Sequence, residues 1–251
     1  MPGSPFDGLF LAAAAPFVGS FAGVLAHRLP QALPLAWDRS RCDSCKRILT
    51  PAELLPVLGW CLKRGVCGSC RQPIPLHYPL VELAALALAL WALAATAGTL
   101  AWVSCLLGWT LLTLSVIDAR HFWLPDRLTL PLLLAGLGVT AWLMPAALPG
   151  ALLGAVCGYA GFAAVGWLHL RLRGKPGLGL GDAKLLAAAG AWVGAAALPS
   201  VVVWAALGGL LFAALAALLG RRSLDAPLPF GPFLALGFWV TWLHGPLEVA
   251  L

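Results

Sequence analysis

The sequence predicts an all-α polytopic membrane protein, with about eight transmembrane helices and one small cytoplasmic insertion, and three observations lead there. Hydrophobic residues fill 61% of the 251 positions and charged residues only 10%, too little polar surface to cover a soluble globule of this size. Mostly apolar stretches of about 17 to 22 residues recur along the chain, a length that fits a ~30 Å hydrocarbon layer at the helical rise. Lys and Arg fall in every second connection between those stretches, the alternation that a polytopic chain shows.

The expected spans are residues 6–27, 79–97, 100–117, 128–145, 150–169, 183–198, 200–219 and 230–250. The first has no basic residue before its apolar run, and Arg28 follows it. That is the reverse of a secretory signal, so the segment reads as a retained helix. None of the eight shows the polar/apolar alternation of a barrel strand. The domain organisation is therefore a first helix at 1–28, an insertion at 29–78 and a seven-helix membrane domain at 79–251.

Charge sets the orientation. Eight of the sixteen Lys and Arg lie between Arg28 and Arg71; the rest gather at Arg120 and Arg127, at Arg171 to Lys184, and at Arg221 and Arg222. The connections around Gly98, Pro145 and Pro199 contain none. By the positive-inside rule the basic loops face the cytoplasm and both termini face the other side. Topology thus accounts for the net charge of +6, and no nucleic-acid partner is expected.

The insertion holds five of the seven cysteines. Its core, RCDSCKRILTPAELLPVLGWCLKRGVCGSCRQPI, contains two CxxC pairs, Cys42 with Cys45 and Cys67 with Cys70, with twenty-one residues between them. Two such pairs suit one tetrahedral zinc ion at about 2.3 Å from each sulfur, with Gly68 expected to allow the tight turn. Two disulfides are the alternative, and reducing cytoplasm disfavours them. With four protein ligands the site is closed and structural, lending folding energy to an insertion too small for a good core. Cys61, Cys105 and Cys157 lack partners at ligand spacing and read as small buried hydrophobes. His77 and His121 read as hydrogen-bonding interfacial residues.

Two aspartates carry the candidate chemistry. In SVIDARHFWLPD, Asp118 closes the third span, while Pro125 and Asp126 read as the start of the next helix, with Asp126 as its cap. In GLGLGDAKLLAAAGAW, Gly177, Gly179 and Gly181 permit close backbone approach or positive φ. Asp182 then stands at the start of the sixth span. Both aspartates fall at cytoplasmic helix ends, so they can meet. Two carboxylates close together in a partly desolvated place share one proton, the arrangement that lets one activate water while the other polarises a carbonyl.

Taken together these residues resemble the bacterial type IV prepilin peptidase family over nearly the whole chain. The resemblance rests on Cys42, Cys45, Cys67 and Cys70; on Asp118 seven residues before Pro125 and Asp126; and on Gly179, Gly181, Asp182 and Lys184 of a GxGDxK segment. GSFAGVLAHRLP, HYPLVE at 77–82 and PFGPFLALG at 229–237 support it. It implies an inner-membrane aspartyl endopeptidase with Asp118 and Asp182 as the catalytic pair. Such an enzyme removes the basic leader of type IV prepilins or type II secretion pseudopilins after a glycine, at the cytoplasmic face. It also implies N-methylation of the new amino terminus with S-adenosylmethionine, although no Gly-rich Rossmann fingerprint occurs. Asp38, Asp43, Glu53 and Glu82 are candidates for attracting the basic leader. The alternatives are a presenilin-like intramembrane protease, which has no need of the cysteine insertion, a proton-coupled transporter, which would favour repeated halves, and a structural scaffold.

Overall fold

Backbone in a lipid layer finds no water to bond with, so a long apolar segment closes its hydrogen bonds within a helix. The computed structural model describes residues 5–33, 39–42, 44–174, 177–220 and 228–247, and among these there is no sheet. The helices are α1 (Pro5–Arg28), α2 (Leu58–Leu62), α3 (His77–Ala95), α4 (Thr99–His121), α5 (Asp126–Leu143), α6 (Leu148–Arg173), α7 (Leu180–Val193), α8 (Leu198–Leu218) and α9 (Gly231–His244). Isolated antiparallel bridges join Arg41 to Ile48 and Val66 to Pro73.

Each of the eight expected apolar segments holds one of these helices. Six of them, α1, α3, α4, α5, α6 and α8, are long and apolar enough to cross a membrane. The other two, α7 and α9, have 14 residues each, or ~21 Å at the helical rise. The segment expected at 183–198 stops early because Gly194 turns into the left-handed region at φ +79°. A single 3-10 turn, Ala195–Ala197, then leads into α8.

By its contacts the chain divides into two units, Met1–Thr113 and Leu114–Leu251, with the boundary inside α4. In the first, α1 and α3 meet along small residues. Ala15, Ala22 and Ala26 are buried on one helix and Ala85, Ala89 and Ala92 on the other. A Cβ on Gly19 would come within 2.7 Å of the Glu82 Cα, so the two backbones touch, the packing that membrane helices use in the absence of a water-driven force. The Trp109 indole donates to the Ala85 carbonyl at 3.1 Å.

In the second unit α7 is the hub. Its residues from Leu185 to Trp192 are all buried, as expected of a short helix that is apolar on every side. Contact with α6 is backbone to backbone: a Cβ on Gly158 would lie 2.5 Å from the Leu186 carbonyl oxygen. Against α5, Trp192 donates from its indole to Leu132 at 2.8 Å and Thr140 donates to the Ala191 carbonyl at 3.3 Å. The long helices α6 and α8 instead leave Leu152, Leu153, Val156, Leu207, Leu210 and Leu211 exposed, an apolar surface of the kind that lipid covers.

Candidate active site and metal centre

The carboxylate site lies in Leu114–Leu251, at the ends of four helices. Asp118 sits one turn before the end of α4, which runs on to His121 rather than closing at the aspartate. The helix stops as Phe122 takes φ +50° and donates its N–H to the Asp118 carbonyl. Asp118 is buried at 6% exposure. One of its oxygens, Oδ2, accepts the backbone N–H of Gly231 at 2.9 Å.

Asp182 is half-buried in the first turn of α7, whose N-cap is Gly179. Its carboxylate lies near enough to that of Asp118 for the two to interact electrostatically. What brings the two segments together is Gly181, whose Cβ would lie 3.0 Å from the Cβ of buried Leu124. Neither Gly179 nor Gly181 takes positive φ, so of the two uses expected for these glycines, close approach is the one realised at Gly181.

Asp126 is not the cap of α5. Pro125 occupies that position and Asp126 is the first helical residue. Its carboxylate, half-exposed, instead pairs with Lys184 at 2.6 Å. Pro125 has no N–H and so needs no acceptor there, and the neighbouring Asp126 carboxylate reaches across to Lys184 of α7. Gly231 is the residue that sequence reasoning missed. It lies inside the PFGPFLALG stretch, and the glycine directly before a helix-starting proline, Pro232, was the available signal.

In Met1–Thr113 the four cysteines Cys42, Cys45, Cys67 and Cys70 gather with all Sγ atoms within 4.8 Å of one another. They form one cluster, not two disulfides, and all are free thiols. Each CxxC occupies the turn of a minimal hairpin. Cys42 donates its N–H to Arg47 at 2.9 Å and Cys67 donates to Gln72 at 2.8 Å. The left-handed residues in these turns are Lys46 at φ +58° and Arg71 at φ +60°, not Gly68. Gly68 serves space: its Cβ would lie 3.1 Å from Glu53 Oε1. Backbone amides of Cys70 and Ser69 pull the Cys67 thiol down to about 6. The Gln72 amide also favours the Cys70 thiolate, but burial and the neighbouring thiols push that group up to about 11.

Glu53 braces the first turn by hydrogen bonds and only lies close to the second, where a Cβ on Gly68 would stand 3.1 Å from its Oε1. It accepts from Arg47 at 2.6 Å and from the Thr50 N–H at 2.9 Å, and those Thr50 and Arg47 hydrogen bonds hold its carboxyl at about 2. Glu82 is buried at 7% and accepts the Val57 N–H at 2.6 Å. Both glutamates are thus internal anchors and not surface groups awaiting a basic peptide; Asp38 and Asp43 lie outside the described residues. Cys105 is buried as expected, whereas Cys61 and Cys157 are exposed.

A membrane-capable helical chain with two neighbouring carboxylates at helix ends and a four-thiol cluster is the class these observations define. Comparison with known proteins narrows it. The Bacterial Peptidase A24 N-terminal domain matches residues 14–96, and the Type IV leader peptidase family matches residues 105–220. Three curated relatives are named prepilin leader peptidase/N-methyltransferase. That of Burkholderia pseudomallei is 42% identical over 91% of this chain and 82% of its own length. Those of Aeromonas hydrophila and Pseudomonas aeruginosa are 39% and 37% identical, each over 91% of this chain and 87% of their own. The chain belongs to the type IV leader peptidase family. No solved structure matches it.

Proposed function

We propose that the protein is a bifunctional prepilin peptidase: an aspartyl endopeptidase that removes the basic leader of type IV prepilins or type II secretion pseudopilins after a glycine, and then N-methylates the new amino terminus. The carrying observation is that Asp118 and Asp182, on different helices and far apart in sequence, come within electrostatic reach of each other. The ionised member takes a proton from water as the water oxygen attacks the peptide carbonyl, and the protonated member gives its proton to the carbonyl oxygen. The resulting gem-diol is neutral. Proton return to the leaving nitrogen and from one hydroxyl breaks the C–N bond and restores both carboxyls.

The chemistry on this reading lies at the cytoplasmic face of the bacterial inner membrane, with eight crossings and both termini periplasmic, and the alternation of basic loops supports that orientation. On this reading α7 and α9 are short crossings in a locally thinned layer.

Zinc fits the thiol cluster. A tetrahedral ion at about 2.3 Å from each sulfur needs S···S separations of about 3.8 Å, and Cys42 Sγ already stands 3.8 Å from Cys70 Sγ. The ion would be structural, held by all four thiolates and fastening the two hairpins together.

S-adenosylmethionine is supported by the relatives' printed name. A cavity of about 390 Å³ in Met1–Thr113, with Trp60, Tyr78, Arg28 and Lys63 in its lining, has a size within the range of small-ligand sites. The donor supplies the methyl group; the chain's part is to hold it and the free amine.

The test is incubation of purified protein with a synthetic leader peptide spanning a Gly-Phe junction, read by mass. Cleavage without S-adenosylmethionine, and a methyl mass added only with it, is the expected result. Near-normal cleavage by Asp118→Ala or Asp182→Ala overturns the carboxylate reading.

A further inference from the structure

The first residue of a helix brings an N–H with no partner inside the helix. At the start of α9 the four leading positions are accounted for one by one. Gly231 donates to Asp118 Oδ2 at 2.9 Å. Pro232 has no N–H to offer. Phe233 and Leu234 donate back to the Phe230 carbonyl at 3.1 and 3.0 Å. Of these four positions, the one donor without a partner in its own helix end goes to the Asp118 carboxylate, where the positive end of the helix also favours an anion.

Space makes the same point independently. A Cβ on Gly231 would lie 2.6 Å from Asp118 Oδ2, 2.9 Å from its Cγ and 3.0 Å from its Cβ. No side chain fits there unless the carboxylate leaves its place. Asp118 is buried and short, so it has little room in which to retreat.

We propose that Gly231 is a positioning residue for peptide cleavage: its N–H holds Oδ2 of Asp118 and its missing side chain seats the carboxylate, so that Oδ1 alone is presented to the attacking water and to Asp182. This rests on the reading of Asp118 and Asp182 as the catalytic pair, and it adds a role for α9, which lies beyond the 105–220 stretch matched by the peptidase family. A carboxylate held by one oxygen cannot swing about its last torsion. The entropy of aligning it is met in the fold and not during the reaction.

Kinetics on the leader peptide separates positioning from mere stability. Gly231→Ala should lower kcat by more than about 100-fold with KM changed less than about threefold, because the peptide still binds while the water-activating geometry is lost. Gly208→Ala, whose nearest neighbour would be Phe233 Cδ1 at 3.4 Å, should leave both constants unchanged. An ester in place of the Phe230–Gly231 amide, introduced by semisynthesis, removes the N–H and adds no bulk, and it leaves the Phe230 carbonyl in place as a weaker acceptor for Phe233 and Leu234. It should fold and lose about tenfold in kcat, the scale of one hydrogen bond to a charged group, and it answers the question even where the alanine variant does not fold. A kcat within twofold of the parent in the ester variant, with Asp118→Ala inactive, overturns the positioning role alone. Near-normal cleavage by Asp118→Ala overturns the carboxylate reading on which it rests.

Discussion

In the cysteine knuckles of Met1–Thr113 the two thiols of each pair stand three residues apart and share one turn, whereas the carboxylate cluster of Leu114–Leu251 draws on the ends of α4, α5, α7 and α9. The knuckles are fixed by hydrogen bonds within each hairpin. They tolerate Lys46 and Arg71 in left-handed backbone, because a few close bonds outweigh a modest local strain. The carboxylates are fixed by approach: Gly181 against Leu124, Gly231 against Asp118, Asp126 reaching Lys184. A locally assembled site depends on which residues it has, and a packed one also depends on which atoms are missing around it. The two should therefore fail separately when perturbed.

The largest separation comes from metal removal. Cys67→Ser, or a strong chelator, should abolish the one zinc ion proposed for the cluster and cost the insertion folding energy of order 10 kcal/mol. Metal analysis and limited proteolysis at Lys46, Arg47 and Lys63 read that out. A metal content of zero in the untreated protein, with two disulfides by mass, would end the zinc assignment. Asp118→Ala and Asp182→Ala should do the opposite, cutting leader cleavage by more than about 10³-fold while retaining zinc. A carboxylate variant that lost its metal would erase the distinction between the regions.

How much of this was legible follows from the same distinction. CxxC spacing announces its partner three residues away, so the four thiols could be read directly. Helices announced themselves by apolar length, and every expected span contains one. Their ends were less legible, since stopping α7 at Gly194 depends on a backbone φ that a glycine permits but does not demand. Asp118 and Asp182 could be singled out because charge is rare in such a chain. Gly231 could not, because a glycine carries no chemistry of its own until something is packed against it. Asp126 and Glu82 were misread for a related reason: a carboxylate looks the same in sequence whether it caps, pairs or anchors, and the partners Lys184 and Val57 are decided by packing.

Glu53 sharpens the comparison within the first unit, because its hydrogen bonds brace the first hairpin without using a cysteine. Glu53→Gln should destabilise the metal-loaded insertion by about 1.5–3 kcal/mol, the range for hydrogen bonds to a charged group, with cleavage kinetics unchanged. The carboxyl sits at about 2 in the folded protein against an ordinary 4.5. Its depressed value means that the stabilisation is complete above about pH 4.5 and is lost as pH falls from there through about 2. Denaturation of parent and variant should thus differ equally at pH 7 and pH 5.5; a gap that narrows between those values would show that Glu53 is not held as described.

The smallest effect belongs to the Asp126–Lys184 pair. At 2.6 Å it is short, but with side chains 54% and 30% exposed it lies where water and salt screen most of the attraction, and such pairs contribute about 0–1 kcal/mol. Asp126→Asn and Lys184→Met should each slow cleavage by less than about threefold at moderate salt, and the double variant should be no worse than either single one, because the second change removes a partner already lost. Raising salt should bring the parent toward the variants. An Asp126→Asn enzyme as inactive as Asp118→Ala would move Asp126 from the frame of the site into its chemistry, and would mean that the carboxylate exposed to water, not only the buried one on Gly231, takes part in proton transfer.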